Sequence, residues 1–381
     1  MPHWLTDQHL AIRDTVRRFA EREIAPLSED LWASETFPGD IWVRMGELGF
    51  AGLPYPEEYG GGAGDWVSFV IVLEELSRVD CAVANAVMAN STVASLLSSY
   101  GTHAQKSAYL APILDGREVG AIGLSEPDAG SDAANIATRA TLDGDCWIVD
   151  GSKTFISNSG TSVTGPVVIA AVTGLRSDGR KEISNFIVPH GTPGFRCGRK
   201  LRKIGWRASS THELFFEHCV IPAANLLGER GAGLRQTLAQ ISSGRIFIGA
   251  LALGILQGSL DRSVAYMKER HAFGRPLAEF QALQFKVSDI ATSAQAAREM
   301  LYDAAALKDA GRPFDQQASM AKLFATEQAM KAAHQAIQIH GGYGIMSEYP
   351  VSRAFGDAKV LEIVEGTSEI QRLIISRALL A

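Results

Sequence analysis

Asp143-Gly144-Asp145-Cys146-Trp147-Ile148-Val149-Asp150-Gly151 is the stretch that decides the fold. Two Asp-Gly pairs bracket a short run of β-branched and aromatic residues. Asp-Gly suits the tight turns whose backbone needs positive φ, so each pair reads as a hairpin turn. Asp178-Gly179 repeats the signal between two more runs of this kind, at 167–172 and 183–188. Residues from about 119 to 227 therefore read as a compact antiparallel sheet or barrel.

The chain reads as helical on both sides of this zone. Upstream, Ile12, Val16, Phe19, Ala20 and Ile24 recur at helical spacing after Thr6, a good N-cap, and Pro26 stops the run. A second helix ends near Gly49. Asp65 leads into an apolar segment through Leu76, and Thr102 with Gln105 forms a capping-box pattern ahead of 108–114. Downstream, 246–270, 277–310, 316–340 and 369–380 are four long helical candidates with short breaks, the pattern of a bundle. Helices, then strands, then helices predict a multi-domain α+β chain and argue against a doubly wound sheet. The expected parts are an N-terminal α-helical domain (1–118), a middle antiparallel β-barrel or sheet domain (119–228) and a C-terminal four-helix bundle (229–381).

Composition narrows the function. The 381 residues are 46% apolar and 20% charged, ordinary globular values. A formal net charge of −6 gives no basic field for nucleic acid or an anionic membrane. Cys81, Cys146, Cys197 and Cys219 have no CxxC spacing, so neither a zinc site nor a disulfide framework is expected, and no metal is. Reduced thiols and an N-terminus without a cationic and apolar leader point to a cytoplasmic protein. No continuous apolar run reaches the roughly 18 residues of a membrane span; 249–256 is the nearest. The glycine cluster at 60–64 lacks GxGxxG spacing. No Walker A loop or GxSxG elbow occurs, and His212-Glu213 is not followed by a histidine at zinc-motif spacing.

The segment richest in chemistry runs from Asp357 through Ala-Lys-Val-Leu-Glu-Ile-Val-Glu365-Gly-Thr-Ser-Glu-Ile-Gln to Arg372. Ser368 and Gln371 have capping-box spacing, so a last helix should start there. Glu365 lies just ahead of it, between Val364 and Gly366. A charge in an apolar run beside a glycine fits two roles: a general base aimed into a cavity, or a capping or salt-bridged glutamate. The helix N-terminus would favour its carboxylate, whereas burial would raise its pKa.

The block Glu365-Gly-Thr-Ser-Glu-Ile-Gln-Arg372 resembles the C-terminal signature of the acyl-CoA dehydrogenases. Four more blocks resemble the same family: Gly120-Ala-Ile-Gly-Leu-Ser-Glu-Pro-Asp-Ala-Gly-Ser-Asp132, Lys153-Thr-Phe-Ile-Ser-Asn158, Glu269-Arg-His-Ala-Phe-Gly274 and Gln338-Ile-His-Gly-Gly342. They stand in family order over essentially the whole chain, and the surroundings of Arg245 are most similar to the short-chain branch. The resemblance implies FAD bound at a subunit interface of a homotetramer. It implies Leu124 and Ser125 beside the flavin ring, with Phe155, Ile156 and Ser157 at another edge. It implies Arg270, Phe273, Gln281, Gln338 and Gly342 reaching the adenosine and diphosphate portions from a neighbouring subunit, with Thr367 and Glu369 lining the same site. Ser131, Arg245 and Gly366 fall at substrate positions, and Glu365 at the position of the base.

The implied reaction is α,β-dehydrogenation of an acyl-CoA thioester to the trans-2-enoyl thioester, with electrons passing to an electron-transferring flavoprotein. Neither nucleic acid nor membrane is an expected partner. Four residues depart from the family pattern: Val364 for an aromatic, Phe155 for a tryptophan, Gly356 for an arginine and Ser242 for an aspartate. Ser242 and Val364 leave open an acyl-carrier-protein thioester as substrate. An acyl-CoA oxidase and a non-catalytic flavoprotein subunit are the other readings. Some family members carry the base immediately before the arginine matching Arg245; Gly244 stands there in this chain, which favours Glu365.

Overall fold

Residues 4–380 are described by the computed structural model. The chain opens with α1 (Asp7–Phe19), α2 (Ser28–Ser34) and α3 (Gly39–Glu47). Thr6 caps α1 as expected: its hydroxyl accepts from the His9 N–H, and the His9 ring accepts from the Thr6 N–H, which completes a capping box. Asp65 caps α4 (Trp66–Val79) through the Ser68 N–H, and Asp80 caps α5 (Cys81–Tyr100). The Thr102–Gln105 capping box is present ahead of the short α6 (His103–Gln105) and α7 (Ala111–Leu114).

The middle zone holds β1 (Val119–Gly123), β2 (Arg139–Asp143), β3 (Cys146–Ser157), β4 (Thr164–Leu175), β5 (Lys181–Val188), β6 (Phe195–Lys200), β7 (Thr211–Pro222) and β8 (Leu226–Leu227). The strand order is β6-β7-β3-β2-β4-β5-β8, with β1 beside β4. Two expectations are corrected here. The sheet is mixed, because β1 runs parallel to β4 and β2 meets β4 in parallel at Arg139 and Val172. Asp150-Gly151 is not a turn: β3 runs straight through it, and the ladder to β7 shifts register at that point. Asp150 instead accepts from the His218 N–H of β7, so the pair is a bulge inside one long strand. Asp143-Gly144 and Asp178-Gly179 do close hairpins.

Beyond the sheet come α8 (Gly233–Glu269), a small hairpin of β9 (His271–Ala272) and β10 (Arg275–Pro276), α9 (Gln281–Asp309), α10 (Asp315–His340), α11 (Pro350–Leu361) and α12 (Ser368–Leu380). α8 starts well before the expected 246, since Ser242, Ser243 and Gly244 are poor helix formers that tertiary packing holds in line. α9 starts at Gln281 because Phe280 is extended. α11 was not foreseen; Pro350 at its first turn is its sequence signal.

One apolar core unites the first and last zones. Phe69, Ile71 and Leu73 of α4, Val83 and Val87 of α5, Phe247 and Leu251 of α8, and Leu301 and Tyr302 of α9 all lie in it. A second core, with Trp147, Ile169, Phe186 and Phe216, fills the sheet domain. Alternate residues of β4 face opposite cores, which explains why 167–172 is apolar throughout rather than alternating. α5 and α8 are long and apolar enough to cross a bilayer, yet 94% and 78% of those stretches are buried in the protein, as in core helices.

Inside the main core Glu74 of α4 accepts from Arg298 at 2.6 Å and from the Tyr302 hydroxyl at 2.7 Å. All three side chains are buried. Removing one partner strands the opposite charge in the interior. Arg298→Met should therefore lower unfolding stability by about 3–5 kcal/mol, read from urea-induced unfolding against wild type.

Candidate active site

The residues expected to hold a cofactor and substrate fall into three groups. The first sits where the end of β1 meets the end of β3. The Ser125 carbonyl accepts from the Thr154 N–H at 2.9 Å, and the Leu124 carbonyl accepts from Lys153 Nζ at 3.3 Å. Lys153 also donates to Glu126 at 2.7 Å in a buried ion pair. Burial alone would push the Glu126 carboxyl up, but hydrogen bonds from Lys153, Thr138 and the Ala137 N–H outweigh it and hold the carboxyl below its usual range. Burial lowers the Lys153 ammonium to about 8. Sequence reasoning gave no role to this pair, whose two halves lie 27 residues apart.

Phe155 is 71% exposed and has φ +62°. A non-glycine residue in the left-handed region is strained, and such strain collects at functional sites. Asn158, also at positive φ, is buried and fastens the strand end through its amide to the carbonyls of Ala86 and Gly120. The result is an open aromatic face on a rigid strand end beside Leu124 and Ser125. Ser157 is half-buried on the same strand. The Ile156 side chain points into the core of the sheet domain, so its backbone is what it can offer a ligand.

The second group surrounds Glu365, in the turn between α11 and α12. Glu365 has φ +52° and Gly366 φ +91°. The Glu365 side chain is only partly covered, but its Oε2 is sealed from solvent and has no hydrogen-bond partner. Burial pushes the carboxyl up to about 7, against the opposing pull of Arg245 and Lys322. Gly244 of α8 lies directly beneath: a Cβ there would stand 2.8 Å from Oε2. Positions 244 and 365 thus converge on one point, which is why a carboxylate could be supplied from either. Arg245 is buried, donates to Ser242 Oγ at 3.3 Å, and keeps an unpartnered Nε. Burial lowers its pKa, while Glu365 and Asp315 act the other way. Ser242 therefore takes up the arginine one turn away.

The capping box expected at Ser368 is corrected. α12 begins at Ser368, and the cap is the hydroxyl of Thr367, which accepts from the Ile370 N–H. Gln371 instead donates to the carbonyls of Glu365 and Gly366. The Glu365 N–H has no partner among the described residues. Thr367 and Glu369 line a cleft of about 330 Å³ together with Glu327, Lys331 and Lys359. Ser131 is exposed on the loop after β1 and makes no hydrogen bond to Arg245 or Gly366. Val364 packs partly against the main core. At Gly356 a Cβ would collide with the Ile204 carbonyl, so the glycine lets α11 close on that loop where an arginine could not.

Arg270, Phe273, Gln281, Gln338 and Gly342 form the third group, all exposed. The Arg270 guanidinium lies 5.6 Å from the Tyr343 ring, and Phe273, 95% exposed at φ +52°, tips the β9–β10 hairpin. This group does not join Glu365 within one chain. Arg245 and Arg270 are separated by the length of α8 between them, roughly 37 Å at 1.5 Å per residue. His340 is a packed helix-end histidine: buried, bonded to the Ala336 carbonyl and stacked on Tyr266.

The sheet presents an open aromatic strand end, and the turn ahead of α12 holds a carboxyl with one sealed, unpartnered oxygen. Comparison with known proteins gives the class. The acyl-CoA dehydrogenase N-terminal, middle and C-terminal domains match residues 6–117, 121–219 and 231–380. This chain belongs to the acyl-CoA dehydrogenase family and is an oxidoreductase.

Among particular relatives, the short-chain-specific acyl-CoA dehydrogenase of Clostridium acetobutylicum is 43% identical over 98% of both chains. The butyryl-CoA dehydrogenase of Megasphaera elsdenii superposes over 100% of both chains with TM-score 0.96 and 38% identity. A chain from the structure of the electron-transferring flavoprotein of Acidaminococcus fermentans, solved toward a mechanism of flavin-based electron bifurcation, also covers 100% of both chains, with TM-score 0.96 and 43% identity.

Two tests follow from the Glu365 environment. Gly244→Ala should displace the carboxyl; turnover should fall on the order of 100-fold, while circular dichroism stays that of wild type. Stability gives the second. Burial raises the Glu365 pKa, so its stabilising contribution is full below its ordinary value of 4.5 and is lost as pH rises through about 7. Glu365→Gln, neutral throughout, should melt roughly 2 °C or more above wild type near pH 8. The gap should close toward pH 4.5 in matched thermal scans.

Proposed function

We propose that this chain dehydrogenates a short acyl-CoA thioester at its α and β carbons, with Glu365 as the base and FAD as the cofactor. The observation that carries the reading is the buried, unpartnered Oε2 of Glu365, whose pKa near 7 suits a base working at neutral pH. The residues present fit a flavin: Phe155 offers an uncovered aromatic face, and Leu124, Ser125 and Ser157 stand on the same rigid strand ends. FAD, when bound, accepts the β-hydride.

The chain's own residues do the rest. Glu365 takes the α-proton. The free Glu365 N–H donates to the thioester carbonyl as negative charge develops there, worth about 3–4 kcal/mol if it acts as an oxyanion-hole donor does elsewhere. The carbonyls of Glu365 and Gly366 are already engaged by Gln371, so the turn needs no rearrangement when the substrate arrives. Arg245, with Gly366, borders the substrate, and Ser131 extends the binding face.

Short acyl groups are the favoured substrates. Residues 86–97 and 246–251 are buried throughout, and Phe247 stacks on Trp66 at 5.5 Å and meets Phe69 edge-on at 5.1 Å. This aromatic block, one turn along α8 from Gly244, supports a short acyl chain as the substrate.

The separation along α8 supports a site shared between subunits, and the family resemblance makes the proposed assembly a homotetramer. Groups roughly 37 Å apart on one chain serve two different sites, so Arg270, Phe273, Gln281, Gln338 and Gly342 complete the flavin site of a neighbour. An electron-transferring flavoprotein is the proposed acceptor, in line with the Acidaminococcus relative. Four unpaired cysteines support a reducing, cytoplasmic setting.

The test is anaerobic titration of the yellow holoprotein with acyl-CoA thioesters of increasing length. Butyryl-CoA should bleach the flavin fully, long-chain esters should not, and Glu365→Gln should keep its flavin without bleaching. Equal bleaching by Glu365→Gln would remove the base assignment; no bleaching by any ester would remove the reaction.

A further inference from the structure

Lys322, on α10, has a fully buried side chain. No carboxylate lies within salt-bridge distance of it among the described residues; its Nζ donates to the Gly366 carbonyl at 2.9 Å and the Glu362 carbonyl at 3.4 Å. Gln371 of α12 donates to the Gly366 carbonyl at 2.8 Å and the Glu365 carbonyl at 3.2 Å. Two side chains from two helices thus tie down the carbonyls on both sides of the strained residue.

A neutral donor would satisfy carbonyls at lower cost, since burying an ammonium forfeits its hydration. The charges facing Lys322 show what the ammonium adds: Glu365 in the turn, Glu362 at the end of α11 and Glu369 on α12 are negative, and Arg245 on α8 is positive. Glu362 is already paired with Lys359 at 2.6 Å. Glu369 is exposed to solvent. Glu365 is the one acid of the three that is sealed at an oxygen without a partner.

We propose that Lys322 is a positioning residue for the dehydrogenation: acting through Glu365, it locks the base in its left-handed turn and supplies the nearby positive charge that keeps the carboxylate form accessible. The inference rests on Glu365 being the base. Without the ammonium, burial would act on Glu365 opposed by Arg245 alone, and the carboxyl would hold its proton to higher pH.

The experiment uses the holoenzyme as wild type, Lys322→Gln and Lys322→Arg, with butyryl-CoA as substrate. The pH dependence of kcat/KM is measured for each. In Lys322→Gln the acidic limb should move up by about one unit, with a roughly tenfold loss of kcat/KM below the limb, and Lys322→Arg should restore the wild-type limb. Infrared titration supplies a readout without turnover: the protonated-carboxyl band that disappears in Glu365→Gln should persist to higher pH in Lys322→Gln. A wild-type limb and an unmoved band in Lys322→Gln would overturn the proposal. So would loss of flavin from Lys322→Gln restored by Lys322→Arg, which would assign Lys322 to the fold alone. Failure of wild type to turn over butyryl-CoA would strike the reaction, whereas the infrared band would still judge Lys322.

Discussion

The carboxyl of Glu365 rests on the bare backbone of α8 at Gly244, and much of the molecule is arranged so that it can. α8 must pass close to the α11–α12 turn, which requires a glycine at the point of contact. The turn must hold a non-glycine residue at φ +52°, a conformation that costs energy unless its surroundings impose it. α10 and α12 impose it through hydrogen bonds to the flanking carbonyls. α8 is in turn fixed by α4, α5, α9 and α10 in one shared core, so the first and last zones of the chain hold the site together.

Electrostatics in this region follows from burial more than from pairing. Glu365 rises to about 7 although Arg245 and Lys322 both pull the other way, because lost hydration outweighs charges that do not touch it. Lys153 and Glu126 at the sheet show the alternative arrangement, in which direct contact keeps the acid ionised. Asp357 combines the two: burial lifts it to about 7 while it accepts from the Trp206 N–H, joining α11 to the loop after β6.

The layout of helices, strands and helices was legible because its signals are local: caps at Thr6, Asp65 and Thr102, and Asp-Gly pairs at 143 and 178. What failed was also local in cause. Asp150-Gly151 carries a turn's residues but sits in a bulge, because the pairing of β3 with β7 overrides the dipeptide preference. The start of α8 was hidden by small residues that only packing keeps helical. Glu365 was legible as an unusual charge in an apolar run, whereas Gly244 and Arg245, which the structure sets beside it, lie outside the five matching blocks. Lys322 was invisible to that reading, since a lone lysine within an alanine-rich helix looks like an exposed position; its burial comes from a turn 43 residues downstream. The same holds for the pairing of Lys153 with Glu126.

The near-neutral pKa of Glu365 carries one more consequence. A carboxyl that titrates near neutral pH is present both as base and as acid, so both protonation states that a forward and a reverse proton transfer need are populated. In the role proposed for it, a carboxyl that deprotonates a saturated thioester would by microscopic reversibility protonate the α-carbon of an unsaturated one. The proposed proton transfer thus sets no direction of its own. Whether flux runs toward desaturation or toward saturation is left to the reduction potential of whatever exchanges electrons with the protein.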